Sequence, residues 1–257
     1  MLQAILHGKI GMLFEKGAEG ESFKERFRTL EDFLTAAVFE RLRYLPANLF
    51  WKVLSEAAIP VGSLPMHVGN LRASEFWPTW DISQATSDRM RCIPDVFLSF
   101  EKIDIAVEAK LNDGQRSQDA QQLALEWLGY NEEIEGRQMW LMMVSGLEEV
   151  TDDCVIGFRR QIEEALRNLG RDGARVQLVG TSWQLIAKAL KRVVSAHPID
   201  ANILTVINDI LEAFQLYNVQ SRQPTWLESL RREARPFASI RDESLEQFAG
   251  RISNGVS

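Results

Sequence analysis

An α/β fold, a central mixed sheet flanked by helices, is the class this sequence predicts, and three observations carry it. Two runs of alternating apolar residues follow one another closely, Val96, Leu98 and Phe100 and then Ile103, Ile105 and Val107, as in paired strands. A continuous apolar segment, Met139 to Val144, has the length of a strand covered on both faces. Between and after these runs apolar residues recur at helical spacing, so strands and helices alternate along the chain.

The elements are expected in the following order. Leu30, Leu34, Val38 and Leu42 are spaced by four, with Thr29 placed to cap and acids in the first turn, which predicts a helix over about 29–44, ended by Pro46. The stretch from Pro60 to Asp88, rich in Pro, Gly, Ser and Trp, reads as loops with at most one short strand. Two strands paired through a turn near Glu101-Lys102 come next, then a helix from about Ser117 to Tyr130 and the Met139 strand. A helix from Phe158 stopped by Gly170, a strand at Arg175 to Val179 and a helix from Ser182 to Ser195 complete the core. Ile203, Ile207, Ile210, Phe214 and Tyr217 predict an amphipathic helix beyond Pro198, followed by a more polar helical tail from Trp226 to about Gly250. The expected division is a catalytic domain at 1–197 and a C-terminal helical extension at 198–257, which offers a surface for a homodimer or a protein partner.

Composition narrows the function. A chain of 257 residues, 46% hydrophobic, can bury a full core. Its net charge of -7 excludes a broadly basic surface, so contact with nucleic acid has to be local. Cys92 and Cys154 lie far apart without a CxxC pattern, and His7, His67 and His197 have no partners at metal-ligand spacing, so zinc is not expected. The longest strongly apolar stretch falls well short of the roughly 20 residues a membrane helix needs, and the opening segment does not read as a signal peptide. A cytoplasmic protein without membrane contact is the expectation.

The candidate chemistry lies in the two paired strands. Side chains two apart share a face, so Glu108 and Lys110 present a carboxylate and an ammonium side by side. Asp95, just after Pro94, opens the preceding strand, and the short loop brings it against the second one. Two carboxylates and a lysine then converge at a strand end. Phosphodiester hydrolysis needs a cation to neutralise charge developing on the phosphate and to acidify water. Hard Mg²⁺ takes oxygen ligands and keeps several waters, which suits two carboxylates, and lysine can position water or stabilise the developing charge. The tripeptide Glu108-Ala109-Lys110 is short enough to occur by chance, so its context carries the weight. Trp77 and Trp80, in FWPTW, suit either base stacking or the edge of the core.

Taken together, IPDVFLSF, DIAVEAK and QDAQQLALEW resemble the PD-(D/E)xK nuclease superfamily, the restriction-endonuclease-like fold, over about residues 29–145. The resemblance implies that Asp95 and Glu108 bind Mg²⁺ or Mn²⁺, that the carbonyl of Ala109 completes the metal shell and that Lys110 serves catalysis. It also implies a glutamate on the helix before the sheet, best matched by Glu31, with Glu40 as the substitute. A Gln-x-x-x-Tyr motif found in part of the family is altered here, since Gln122 is followed four residues later by Glu126 and the tyrosine comes only at Tyr130. Gln122 and, more distantly, Gln118 are its candidates on that helix. The implied activity is an endonuclease acting on DNA within a bacterial restriction or anti-phage defence system. The rival expectation is a catalytically silent scaffold or nucleic-acid-binding subunit with the same fold.

Overall fold

A computed structural model describes residues 31–82, 91–111, 117–134, 136–147, 149–196 and 200–219. The first helix, α1 (Glu31–Leu42), has Glu31 and Asp32 in its first turn and Arg41 in its last, each sign complementing the helix dipole. A second helix, α2 (Ala47–Ala57), was not expected. It starts directly after Pro46, because proline's fixed φ and missing N–H cost nothing at a helix start. The proline that ends α1 therefore opens α2.

The stretch read as loop holds more strand than expected: β1 (Leu71–Phe76) and β2 (Trp80–Asp81), the latter paired with β3 (Arg91–Cys92). Then follow β4 (Val96–Phe100), β5 (Asp104–Ala109), α3 (Ala120–Glu133), β6 (Met139–Val144), α4 (Asp152–Asn168), β7 (Gln177–Thr181), α5 (Trp183–Ala196) and α6 (Ala201–Leu216). Side-chain caps set three helix starts. Asp119 accepts from the N–H groups of Gln121 at 2.8 Å and Gln122 at 3.4 Å, Thr151 from Cys154 at 3.3 Å, and Asp200 from Asn202 at 2.8 Å. The Thr151 cap starts α4 six residues before Phe158, where the apolar pattern alone had placed it.

The main sheet has the order β1-β4-β5-β6-β7, antiparallel from β1 to β5 and parallel from β5 to β7. This is a five-stranded mixed sheet flanked by helices, so the expected α/β class holds. Its strands bury both faces, as continuous apolar runs such as β6 require. On one face Val96, Leu98, Ile105, Val107, Met142 and Val144 pack under α1, α2, α5 and α6. On the other, Phe97, Ala106, Leu141 and Met143 pack under α3 and α4. Because the side-chain period is two, Asp95, Asp104, Glu108 and Lys110 all fall on the α3 face.

Helix α6 packs on α1 and α5, and its Ile207, Ile210, Leu211 and Phe214 are buried in the same core. The described residues belong to one unit, Met1–Gln220; a second, Ser221–Ser257, with the expected polar tail, lies outside them. Among the described residues, no helix is long and apolar enough to cross a membrane.

Candidate active site

Strand register builds the site. Val96 pairs with Val107 in the antiparallel β4–β5 ladder, so the next pair outward sets Asp95 opposite Glu108. The ladder continues through the Asp95 N–H, which donates to the Val107 carbonyl at 3.1 Å. Asp95 is fixed at both oxygens: Oδ2 accepts from the Ala109 N–H at 2.9 Å and Oδ1 from the Trp77 indole N–H at 3.2 Å. Trp77 reaches it from a left-handed backbone conformation, φ 49°, which an L side chain adopts only when its surroundings hold it there.

Glu108 is 2% exposed and ion-pairs with the Lys110 ammonium. Lys110 also faces Glu31 Oε1 at 3.7 Å, while Glu31 Oε2 accepts the Leu111 N–H at 2.7 Å. Glu31 of α1 thus joins the group. Glu40, nine residues on, lies about 13 Å further along the helix axis and is not in it. Gln118 is buried and braces the backbone, its Nε2 donating to the carbonyls of Glu108 and Ser145, both at 3.1 Å. Gln122 donates to Glu126 Oε1 at 3.1 Å. Ala109 ends β5 and is buried, with its N–H committed to Asp95.

Sequence reasoning missed several contributors. Glu126 is wholly buried on α3, where its Oε1 accepts from the Gln122 amide at 3.1 Å and its charge lies close enough to Glu108 and Asp95 for each to act on it. Trp183, wholly buried, donates its indole N–H to the Lys110 carbonyl at 2.9 Å. After β6 the chain turns through two left-handed residues, Ser145 at φ 61° and Gly146 at φ 73°. A Cβ on Gly146 would meet Lys110 Cγ at 2.8 Å, so this turn closes against the lysine stem only because the residue is glycine. The one visible signal was the spacing of Gln122 and Glu126 by four, which puts them on one edge of α3, whereas Gln118, inside the helix expected from about Ser117, precedes the Asp119 cap and lies outside α3.

The electrostatics follow from burial. Asp95 is pushed well above the usual carboxylate range by burial and by the neighbouring Glu108. Glu126 is raised likewise, by burial and then by Glu108 and Asp95. Burial also raises Glu108, and the Lys110 ion pair offsets only part of this. For Lys110 the balance reverses: burial disfavours its charge, but Glu108, Glu31 and Asp95 outweigh that and hold the proton more tightly than usual. Glu108 Oε2 and Glu126 Oε2 are buried without a hydrogen-bond partner.

Two cavities among the described residues lie elsewhere. A cleft of about 860 Å³ between α2 and the β4–β5 turn is lined by Lys52, exposed His67 and Lys102, and one of about 250 Å³ beside β7 by Arg159 and Trp140. Neither contains the carboxylates, and the chemistry of the side chains, rather than cavity size, places the candidate site. His7 and His197 lie outside the described residues.

Fold and site together define an α/β protein with a buried carboxylate–lysine cluster where the antiparallel and parallel halves of a mixed sheet meet. The chain is 31% identical over 237 residues, 90% of its own length and 86% of the other's, to "Uncharacterized protein PM0110" of Pasteurella multocida (strain Pm70), and it belongs to the same family. No family model matches the chain, and no solved structure does.

Proposed function

We propose that the chain is a metal-dependent nuclease of the PD-(D/E)xK type that hydrolyses phosphodiester bonds of DNA, in a bacterial restriction or defence setting. The observation that carries this reading is the convergence of Asp95, Glu108, Glu31 and Lys110 on one sheet end. The donors suit a hard divalent cation: all are oxygens, Asp95 stands opposite Glu108, and Glu108 Oε2 is buried without a partner. Among the described residues no three His, Cys, Asp or Glu side chains are grouped as a ready metal cage. A pair of carboxylates completed by water and substrate oxygens is the usual way Mg²⁺ is held.

Bound Mg²⁺ or Mn²⁺ would supply neutralisation of phosphate charge and acidification of the attacking water. Asp95 and Glu108 would hold it, with the Ala109 carbonyl beside them. In the reaction the water oxygen bonds to phosphorus and the P–O ester bond breaks, leaving a phosphomonoester and a hydroxyl. Lys110, kept in its ammonium form by three carboxylates, acts as a donor to the water or the charged phosphate oxygens rather than as a base. Glu31 and Glu108 hold that ammonium, and the glycine turn at Gly146 limits the space of its stem.

The test is to incubate the purified chain with plasmid, linear duplex, single-stranded DNA and RNA, with Mn²⁺ or with chelator. DNA cleavage that requires Mn²⁺ is expected. A folded protein that binds Mn²⁺ yet cuts none of these substrates would make the silent nucleic-acid-binding scaffold the better account.

A further inference from the structure

The cavity of about 250 Å³ beside β7 has a wall that departs from the rest of an acidic chain: an arginine lines it and no acid does. Trp140 of β6 stands opposite Gln177 of β7 in the parallel ladder, so their side chains share a face of the sheet. Arg159 of α4 and Ser63, just after Pro60, complete a set of four hydrogen-bonding side chains around the edge strand β7. Trp140 is 7% exposed, and its indole N–H is buried with no acceptor among the described residues. A buried donor left unpaired is costly, and the cavity that Trp140 lines is the space from which an acceptor can come. Arg159 is half-buried and makes no ion pair among the described residues; Glu163, one turn further along α4, accepts the Val176 N–H at 3.3 Å instead. Pro60, Val155 and Leu178 make much of the remaining wall apolar.

We propose that this cavity binds a small organic monocarboxylate, its carboxylate held by Arg159 and the Trp140 N–H and its short apolar body lying against Val155 and Leu178. Donors without a competing acid select an anion, and the planar guanidinium fork matches a carboxylate with two parallel hydrogen bonds. One guanidinium balances one negative charge; a phosphate monoester, carrying about two near neutral pH, would leave the second without a partner. The volume falls below the roughly 300–1,000 Å³ of pockets that enclose drug-sized molecules, which limits the ligand to a few carbons. Glu108 is level with Met143, three residues beyond Trp140 on β6 or about 10 Å along the strand, so the site is separate from the carboxylate cluster and stands whether or not the chain cuts DNA.

The test follows the indole N–H resonances of the isotope-labelled full chain during titration with straight-chain carboxylates from acetate to hexanoate, with Trp140→Phe identifying the Trp140 resonance. Binding of at least one member is expected with a Kd on the order of 1 mM, the range open to a ligand of so few atoms, together with a downfield shift of the Trp140 resonance. The matched neutral amide and inorganic phosphate are expected to bind at least about tenfold more weakly. Arg159→Leu should weaken carboxylate binding by about tenfold or more, and Arg159→Lys, which keeps the charge and loses the fork, by less. Calorimetric titration of the parent and the two Arg159 variants reads the same affinities without the Trp140→Phe protein, so the outcome does not depend on that variant folding. Absence of binding by every carboxylate, equal binding of the amide, tighter binding of phosphate, or a folded Arg159→Leu protein that binds like the parent would each overturn the proposal. So would carboxylate binding that leaves the Trp140 resonance unmoved.

Discussion

Strand β5 carries a buried acid near each end, on the same face, and the two have opposite surroundings. Asp104, 1% exposed, is saturated: Arg137 grips it with Nε at 2.8 Å and Nη2 at 2.7 Å, and Tyr130 donates at 2.7 Å. Burial alone would raise its pKa, but these donors outweigh it and hold Asp104 below the usual range. Glu108, 2% exposed, shares one lysine with a second glutamate, lies near enough to a third to raise its pKa, and leaves an oxygen without a donor. Its pKa goes up. Asp104 is thus the signature of a structural ion pair, complete in itself, whereas Glu108 belongs to a group that needs a further cation or proton. Two acids four residues apart, equally buried, are told apart by their partners.

The comparison breaks most sharply on stability. Arg137→Ala strands the Asp104 carboxylate in the core and is expected to cost roughly 3 kcal/mol in denaturant unfolding, while Mn²⁺ affinity in the folded variant stays at the parent value. A loss of metal affinity there would mean that the two ends of β5 are not independent.

Next in size is Lys110→Ala. Both candidate ligands remain, so Mn²⁺ binding is expected to persist while single-turnover DNA cleavage falls by on the order of 10²-fold or more. Because Lys110 also pairs with Glu108 and Glu31, folding has to be checked by thermal unfolding first. A well-folded variant that cuts as fast as the parent would remove Lys110 from the chemistry.

Trp77→Phe tests the support of the site. The ring stays in the core but the N–H to Asp95 Oδ1 is gone, and Mn²⁺ affinity should drop by roughly 10-fold, the lower end of what such outer contacts are worth. An unchanged affinity would mean that the Ala109 N–H alone orients Asp95.

How much of this was legible in the sequence depends on the range of the interactions. The β4–β5 pair, with Asp95, Glu108 and Lys110 on one face, could be read because a period of two and a short loop are local properties. Glu31 could be placed through the resemblance, since its acid lies in the first turn of a clear helix. Helix α2 escaped notice because Pro46 was read as a stop and not also as a start. Strand β1 escaped it because Leu71–Phe76 is an edge strand, mostly half-exposed and flanked by loop-forming residues. The indoles of Trp77 and Trp183 reach the site across 18 and 73 residues, and no local pattern foretells such contacts. Glu126 was passed over for a related reason: on a helix, a lone acid among Leu123, Leu125 and Leu128 looks like a surface residue until the sheet beneath it is known.

The last effect expected is one of pH, and it follows from the opposite shifts of Glu126, on α3, and Asp104, on β5. Glu126 has its folded pKa raised well above the value near 4.3 of an unfolded glutamate. Between those two values the folded chain keeps a proton that the unfolded chain has lost. The stability this contributes is therefore complete below the unfolded pKa and is lost as pH rises toward the folded one, at up to about 1.4 kcal/mol per pH unit. Asp104, with its pKa lowered, works the other way: its contribution is present above the unfolded pKa and is lost as pH falls through the folded value. In chelator, with metal absent, Glu126→Gln removes the first contribution and leaves the second. The stability of the parent relative to Glu126→Gln should accordingly decline from pH 5 to pH 8 in denaturant unfolding, until the folded pKa is passed. A difference that stays constant over that range would mean that Glu126 is ionised in the folded protein throughout, and that burial does not hold its proton.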